Sequence, residues 1–216
     1  MDGFRLCVAL VPLALYLLVL AGMNLSRRPF LVTGARDLAA LGVAVSGLVL
    51  VGPVELLLPE DAIHAYKAYV WLLLLAMYAL CVALAALVIR PRLTIYNFTA
   101  EQLRPLLASM IDELDADARW AGGSLALPTL RVELHLEPAP ALRNVSLVAT
   151  AAEQSFAGWR RLETALRSRL RTTESPPNPW GLLMAAASLA MMAAVGWHLV
   201  LDPQAITAGF RQMLRL

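Results

Sequence analysis

His135 stands between Glu133 and Glu137, two residues away on either side. Alternate residues of an extended segment share a face, so the three side chains line up. A carboxylate beside an imidazole favours its protonated form and can orient it as a general base. Glu133, His135 and Glu137 are therefore the candidates for catalysis by a membrane-bound enzyme. No nucleophile or second acid accompanies them, and alternating charge also serves an exposed, cross-paired strand.

Closely spaced carboxylates suit calcium or magnesium. Asp112, Glu113, Asp115 and Asp117 form such a run. It falls at the C-terminal end of a predicted helix, where negative charge opposes the helix dipole. No calcium-loop glycine or closing glutamate follows at the required spacing. A solvated helix end paired with Arg119 is the favoured explanation. Glu55 has another chemistry: an ionisable residue near the end of an apolar run is a candidate for ion or proton handling.

The third grouping is basic. Arg160, Arg161, Arg167, Arg169 and Arg171 share one predicted helix with only Glu153 and Glu163. Each basic residue near an anionic bilayer surface contributes about 1 kcal/mol. The helix is thus a candidate surface for lipid headgroups or an acidic partner. A net charge of +2 is too small to suggest nucleic-acid binding.

Other chemistry is sparse. There is no phosphate-cradling glycine loop, zinc spacing, H-E-x-x-H or G-x-S-x-G, and no cofactor is expected. Cys7 and Cys81 lie within apolar runs without redox or metal spacing. His64 and His198 fall near one predicted membrane face, as solvated interfacial residues. Asn-x-Ser/Thr triplets at Asn24, Asn97 and Asn144 read as coincidence.

These groups are positioned by four apolar runs, residues 6–23, 38–58, 68–89 and 180–201. A bilayer core needs about 20 mostly apolar residues per helix. The chain is 59% hydrophobic, against about 45–50% in ordinary soluble domains. The first run is too long for a cleaved signal and is expected to stay as an anchor, mildly kinked at Pro12. Small residues Gly42, Ser46 and Gly47 offer packing positions in the second run. Lys67 is the single lysine beside many arginines, a codon bias that points to a GC-rich bacterial genome.

Arginines fix the expected orientation. Arg27, Arg28 and Arg36, Arg90 and Arg92, and the five on the late helix fall on one side of four spans. Positive residues gather on the cytoplasmic side. Both termini are then outside an inner membrane, and the soluble domain is cytoplasmic. Trp180, Trp197, Tyr66 and Tyr69 mark the interfaces.

Residues 92–175 read as one soluble domain between spans 3 and 4. Residues 93–98 predict a strand, and Thr99 with Gln102 a capping box. A helix follows with Leu103, Leu106, Leu107, Met110, Ile111 and Leu114 as its stripe. Pro105 suggests a start a few residues later. Gly122-Gly123 predicts a hairpin turn between residues 119–121 and 124–127. Residues 129–137 and 143–150 alternate as strands. The last helix, about 153–171, carries Phe156, Trp159, Leu162, Leu166 and Leu170 as its apolar stripe.

The expected fold is a membrane region, residues 1–91, with a small α+β domain, two helices on one face of an antiparallel sheet, inserted before the fourth span. The other sheet face is left polar, solvated or free for a partner. A proline elbow leads into the last span at 176–201. An amphipathic segment, 202–216, with Ile206, Phe210, Met213 and Leu214 on one face and Arg211 and Arg215 beside it, closes the chain. The favoured function is a non-enzymatic scaffold or assembly subunit whose partners are the lipid bilayer and a second protein or another copy. A small transporter using Glu55 and an enzyme using His135 are the alternatives.

Overall fold

The structure is a computed structural model that describes residues 3–54, 68–151, 153–202, 204, 207 and 209. Glu55, His64, Tyr66, Lys67 and the amphipathic face from Ile206 to Arg215 lie outside the described residues. The chain forms two compact units. One comprises Met1–Leu20, Leu38–Leu87 and Leu183–Leu216; the other comprises Ala21–Asp37 and Val88–Leu182.

The first unit is helical. The long helices are α1 (Gly3–Leu25), α2 (Gly34–Val49), α3 (Ala68–Val88) and, later in the chain, α6 (Trp180–Leu201). A π-turn, Leu50–Val54, extends α2 around Pro53. Among the described residues, four helices are long and apolar enough to cross a membrane. At 1.5 Å per residue each spans about 30–35 Å. Most of their leucines, among them Leu72, Leu73, Leu182 and Leu189, are exposed to the surroundings. Their contacts with one another run through small residues. The Gly47 backbone lies against the Val8 carbonyl, and Gly42 lies against Val82. Tyr78 Oη donates to the Gly42 carbonyl at 2.6 Å, and Ser188 Oγ to the Ala14 carbonyl at 2.7 Å. Gly42 and Gly47 therefore serve packing within the chain. Ser46 Oγ turns back to its own helix at Val43.

The second unit is built on a six-stranded antiparallel sheet: β1 (Phe30–Thr33), β2 (Arg92–Tyr96), β3 (Arg119–Ala121), β4 (Ser124–Leu127), β5 (Val132–Ala139) and β6 (Asn144–Ala149). Its order is β1-β2-β6-β5-β4-β3. Two helices, α4 (Ala100–Leu114) and α5 (Phe156–Arg171), bury their stripes with one sheet face in a single core. Leu93, Ile95, Leu134, Val145 and Leu147 meet Leu103, Leu107, Ile111, Leu162 and Leu166 there. The Gly122-Gly123 turn closes β3 on β4, and Gly122 takes φ +62°, a conformation that favours glycine.

Several local expectations change. Phe30–Thr33, between the first two apolar runs, forms β1, pairing Phe30 with Tyr96 through Thr33 with Leu93. A lone β2 edge carries unpaired backbone groups, and a β-branched, aromatic tetrapeptide satisfies them. The α4 capping box forms as expected, with Gln102 N donating to Thr99 Oγ1 and Thr99 N to Gln102 Oε1. Pro105 does not delay the helix. It sits in the second turn on the exposed face, and Glu101 in the first turn is exposed too, so water can take the released Glu101 carbonyl.

β5 starts at Val132, later than residue 129, because Arg131 turns the chain with φ +51°. α5 starts at Phe156, where Ser155 Oγ accepts from Gly158 N. Phe156 is not part of the buried stripe and is 79% exposed. Gly158 takes the inward place, its backbone so close to the Leu130 carbonyl that a Cβ would clash with it. The outer sheet face is also not simply solvated. Thr94, Ser146 and Tyr96 are buried there. Arg92 runs past Gly34, while Tyr96 Oη donates to Asp37 Oδ1 at 2.7 Å.

Gly158→Ala is expected to destabilise the sheet unit by about 1–3 kcal/mol through this backbone clash. Gly22→Ala, with open space around it, is expected to cost nothing. Thermal unfolding followed by tryptophan fluorescence checks both, since Trp159 lies in the affected core.

Candidate functional site

His135 lies on the outer face of β5, flanked along the strand by Glu133 and Glu137. Across the sheet it stands opposite Ser124 on one side and Val148 on the other. Its Nδ1 lies 2.9 Å from Ser124 Oγ. Nothing in the alternation of residues 129–137 points to this hydroxyl. The register of the four-residue β4–β5 connection, pairing Leu127 with Val132, is the signal that carries it. Glu133 lies opposite Ala126 and Glu137 opposite Ser146. Residues two apart on a strand are separated by about 6.6 Å, and neither carboxylate makes a hydrogen bond to the imidazole. Ser124 and His135 thus form a hydroxyl–imidazole pair in which no acid orients the ring.

The acidic run divides three ways. Asp115 closes α4 and turns inward, 3% exposed. Its Oδ1 accepts from Thr129 Oγ1 at 2.8 Å and from Asp117 N at 3.1 Å. Its Oδ2 accepts from Thr129 N at 2.9 Å and Leu130 N at 3.4 Å. Burial alone would raise this carboxyl's pKa, but the hydrogen bonds together hold it below its ordinary value. Glu113 points to α5 and meets Arg169 at 2.6 Å. Asp112 and Asp117 face solvent. Among the described residues no group of three metal-ligating side chains is brought together. Asp115 acts instead as a clamp between the end of α4 and the β4–β5 connection.

The five arginines of α5 do not share one face. At about 100° per residue, Arg160, Arg167 and Arg171 fall in one sector, Arg161 beside it, and Arg169 nearly opposite. Arg169 is accordingly the one engaged by α4. Arg167 pairs with Glu163 at 2.8 Å. Arg160, Arg161 and Arg171 are exposed. Phe156 is one turn before Arg160, so an exposed aromatic ring and a guanidinium lie on the same face. α5 packs beside β1, and between them opens a cleft of about 380 Å³ lined by Arg28, Phe30, Leu31, Arg167, Leu170 and Arg171. A second cleft, about 600 Å³, is lined by Arg131, Glu133, Glu153 and Gln154.

One polar cluster went unread in the sequence. Asn24, Asn97, Ser175 and Asn178 are each at most 2% exposed. Asn178 Nδ2 donates to Asn24 Oδ1 at 3.0 Å and to the Leu142 carbonyl at 2.8 Å. Asn97 Nδ2 donates to the Ser26 carbonyl, and Ser175 Oγ to the Asn97 carbonyl, both at 2.7 Å. Backbone bonds from Ser175 N to Arg27 O and from Asn178 N to Asn24 O run beside them. Asn97 takes φ +56°, which asparagine tolerates better than most residues. Burial removes Asn24 and Asn97 as glycan acceptors. The only sequence signal was the polar Asn178 inside a proline elbow.

No family model matches this chain, and no curated protein or solved structure matches it.

Asp115→Ala is expected to cost about 3 kcal/mol, because it strands the Thr129 and Leu130 amides. The folded carboxyl has the lower pKa, so its contribution is complete above the ordinary value of 3.8 and is lost as pH falls through the folded one. Asp115→Asn should show a shallower loss of stability below pH 4 than the parent, read as melting temperature against pH.

Proposed function

We propose that this chain is an integral membrane scaffold or assembly subunit, not an enzyme, with α1, α2, α3 and α6 crossing the bilayer. The observation that carries the topology is the β1–β2 pairing. It ties the α1–α2 connection to the segment that follows α3, which supports placing both on one side. Arg27, Arg28, Arg36, Arg90 and Arg92 lie in this unit with the arginines of α5. By the positive-inside tendency that side is cytoplasmic, with both chain ends outside. The compartment that fits is a bacterial inner membrane.

The docking surface is the start of α5. An exposed phenylalanine flanked by two unengaged arginines has the composition of an interface hot spot. Arg160 and Arg161 offer charge for an acidic partner protein, while Phe156 offers apolar area. The partner is a different protein or a second copy. The Ser124–His135 pair has no orienting acid, which supports a surface role over a catalytic one.

Native mass spectrometry of the chain gently extracted from its own membrane tests this reading. A defined additional protein mass is expected. Phe156→Ala and Arg160→Glu/Arg161→Glu should each reduce it about ten-fold or more while leaving the chain folded and membrane-bound. A lone protomer, or a complex indifferent to these changes, contradicts it.

A further inference from the structure

We propose that the cleft between β1 and α5 binds the headgroup of an anionic phospholipid. Arg28 lines it from the β1 side and Arg167 and Arg171 from the α5 side, and Phe30, Leu31 and Leu170 supply the apolar part of its wall. Planar guanidinium groups match phosphate oxygens in paired hydrogen bonds. The apolar wall matches the glycerol and the first acyl methylenes, which a free phosphate lacks. Arg28 and Arg171 are exposed and have no side-chain partner among the described residues. Arg167 is shared with Glu163, which a phosphate would compete against.

Chain connectivity fixes the source of the phosphate. Arg28 is three residues beyond Leu25, where α1 ends. Three residues reach at most about 11 Å, so Arg28 stays within the headgroup depth of a bilayer crossed by α1. Arg171 is held near the same point, since Ser175 N donates to the Arg27 carbonyl at 2.8 Å. A cleft of about 380 Å³ takes one headgroup with its glycerol and not a peptide helix. The site is separate from the Phe156–Arg161 surface, but it rests on the membrane placement proposed above.

The test titrates the full chain, in neutral detergent, with short-chain phosphatidylglycerol and with phosphatidylcholine, counting bound lipid by native mass spectrometry. Phosphatidylglycerol is expected to bind at least ten-fold more tightly. Arg28→Gln and Arg171→Gln should each weaken it about five-fold, and Arg104→Gln on α4 should leave it unchanged. Glu163→Gln releases Arg167 and should tighten binding about two-fold, a gain that a misfolded variant would not show. Millimolar inorganic phosphate should not displace the lipid. Equal binding of both lipids, equal loss in Arg104→Gln, or displacement by inorganic phosphate overturns the proposal. Flotation of the chain with liposomes reads the placement separately. A chain that floats without lipid preference refutes the cleft alone; one that does not float refutes the placement and the cleft with it.

Discussion

Asn178 sits with no exposed surface, and its amide holds Asn24 and Leu142 together. Asn24 is in the last turn of α1, Leu142 precedes β6, and Asn178 itself leads into α6. Buried polar groups are costly unless each finds a partner. The side-chain bonds of the four buried polar groups form where these segments meet, although Asn97 Oδ1 is left without a partner. Ser175 and Asn97 extend the same network to the Ser26 and Arg27 carbonyls. Directly after them the chain enters β1, whose pairing to β2 completes the sheet.

The placement of the basic groups follows from that junction. With residues 24–27 anchored, Arg28 and Phe30 have to emerge beside α5. With residues 175–178 anchored, the last turn of α5 has to end there as well. The cleft between β1 and α5 is the consequence. At the far end of α5 a second constraint operates. Gly158 lies against the Leu130 carbonyl, and Asp115 holds the amides of Thr129 and Leu130. That close approach turns Phe156 outward. Both surfaces therefore depend on backbone contacts and not on surface composition.

The sequence revealed what periodicity and turn chemistry determine locally. The apolar runs, the Thr99 capping box, the Gly122-Gly123 hairpin and the inward faces of β5 and β6 all follow from short-range rules. What it concealed was long-range. β1 is four residues whose partners lie sixty or more residues away, so nothing local separates them from a loop. Asp115 belonged by composition to a solvated acidic end, yet its partners come from a connection fourteen residues on. Phe156 fell at stripe spacing, but a glycine two residues later decides which face docks. The Ser124–His135 pair needed the β4–β5 register, which periodicity does not specify.

The α1–α2 connection and the sheet form one unit, which the proposed function places on one side of a membrane. Cysteine accessibility tests it directly. In a chain whose Cys7 and Cys81 are replaced by alanine, single cysteines at Arg36 and Glu137 are exposed to a membrane-impermeant thiol reagent. Both should stay unlabelled in intact cells and react after the membrane is opened. Labelling of one position without the other would contradict the shared unit, and with it the β1–β2 pairing.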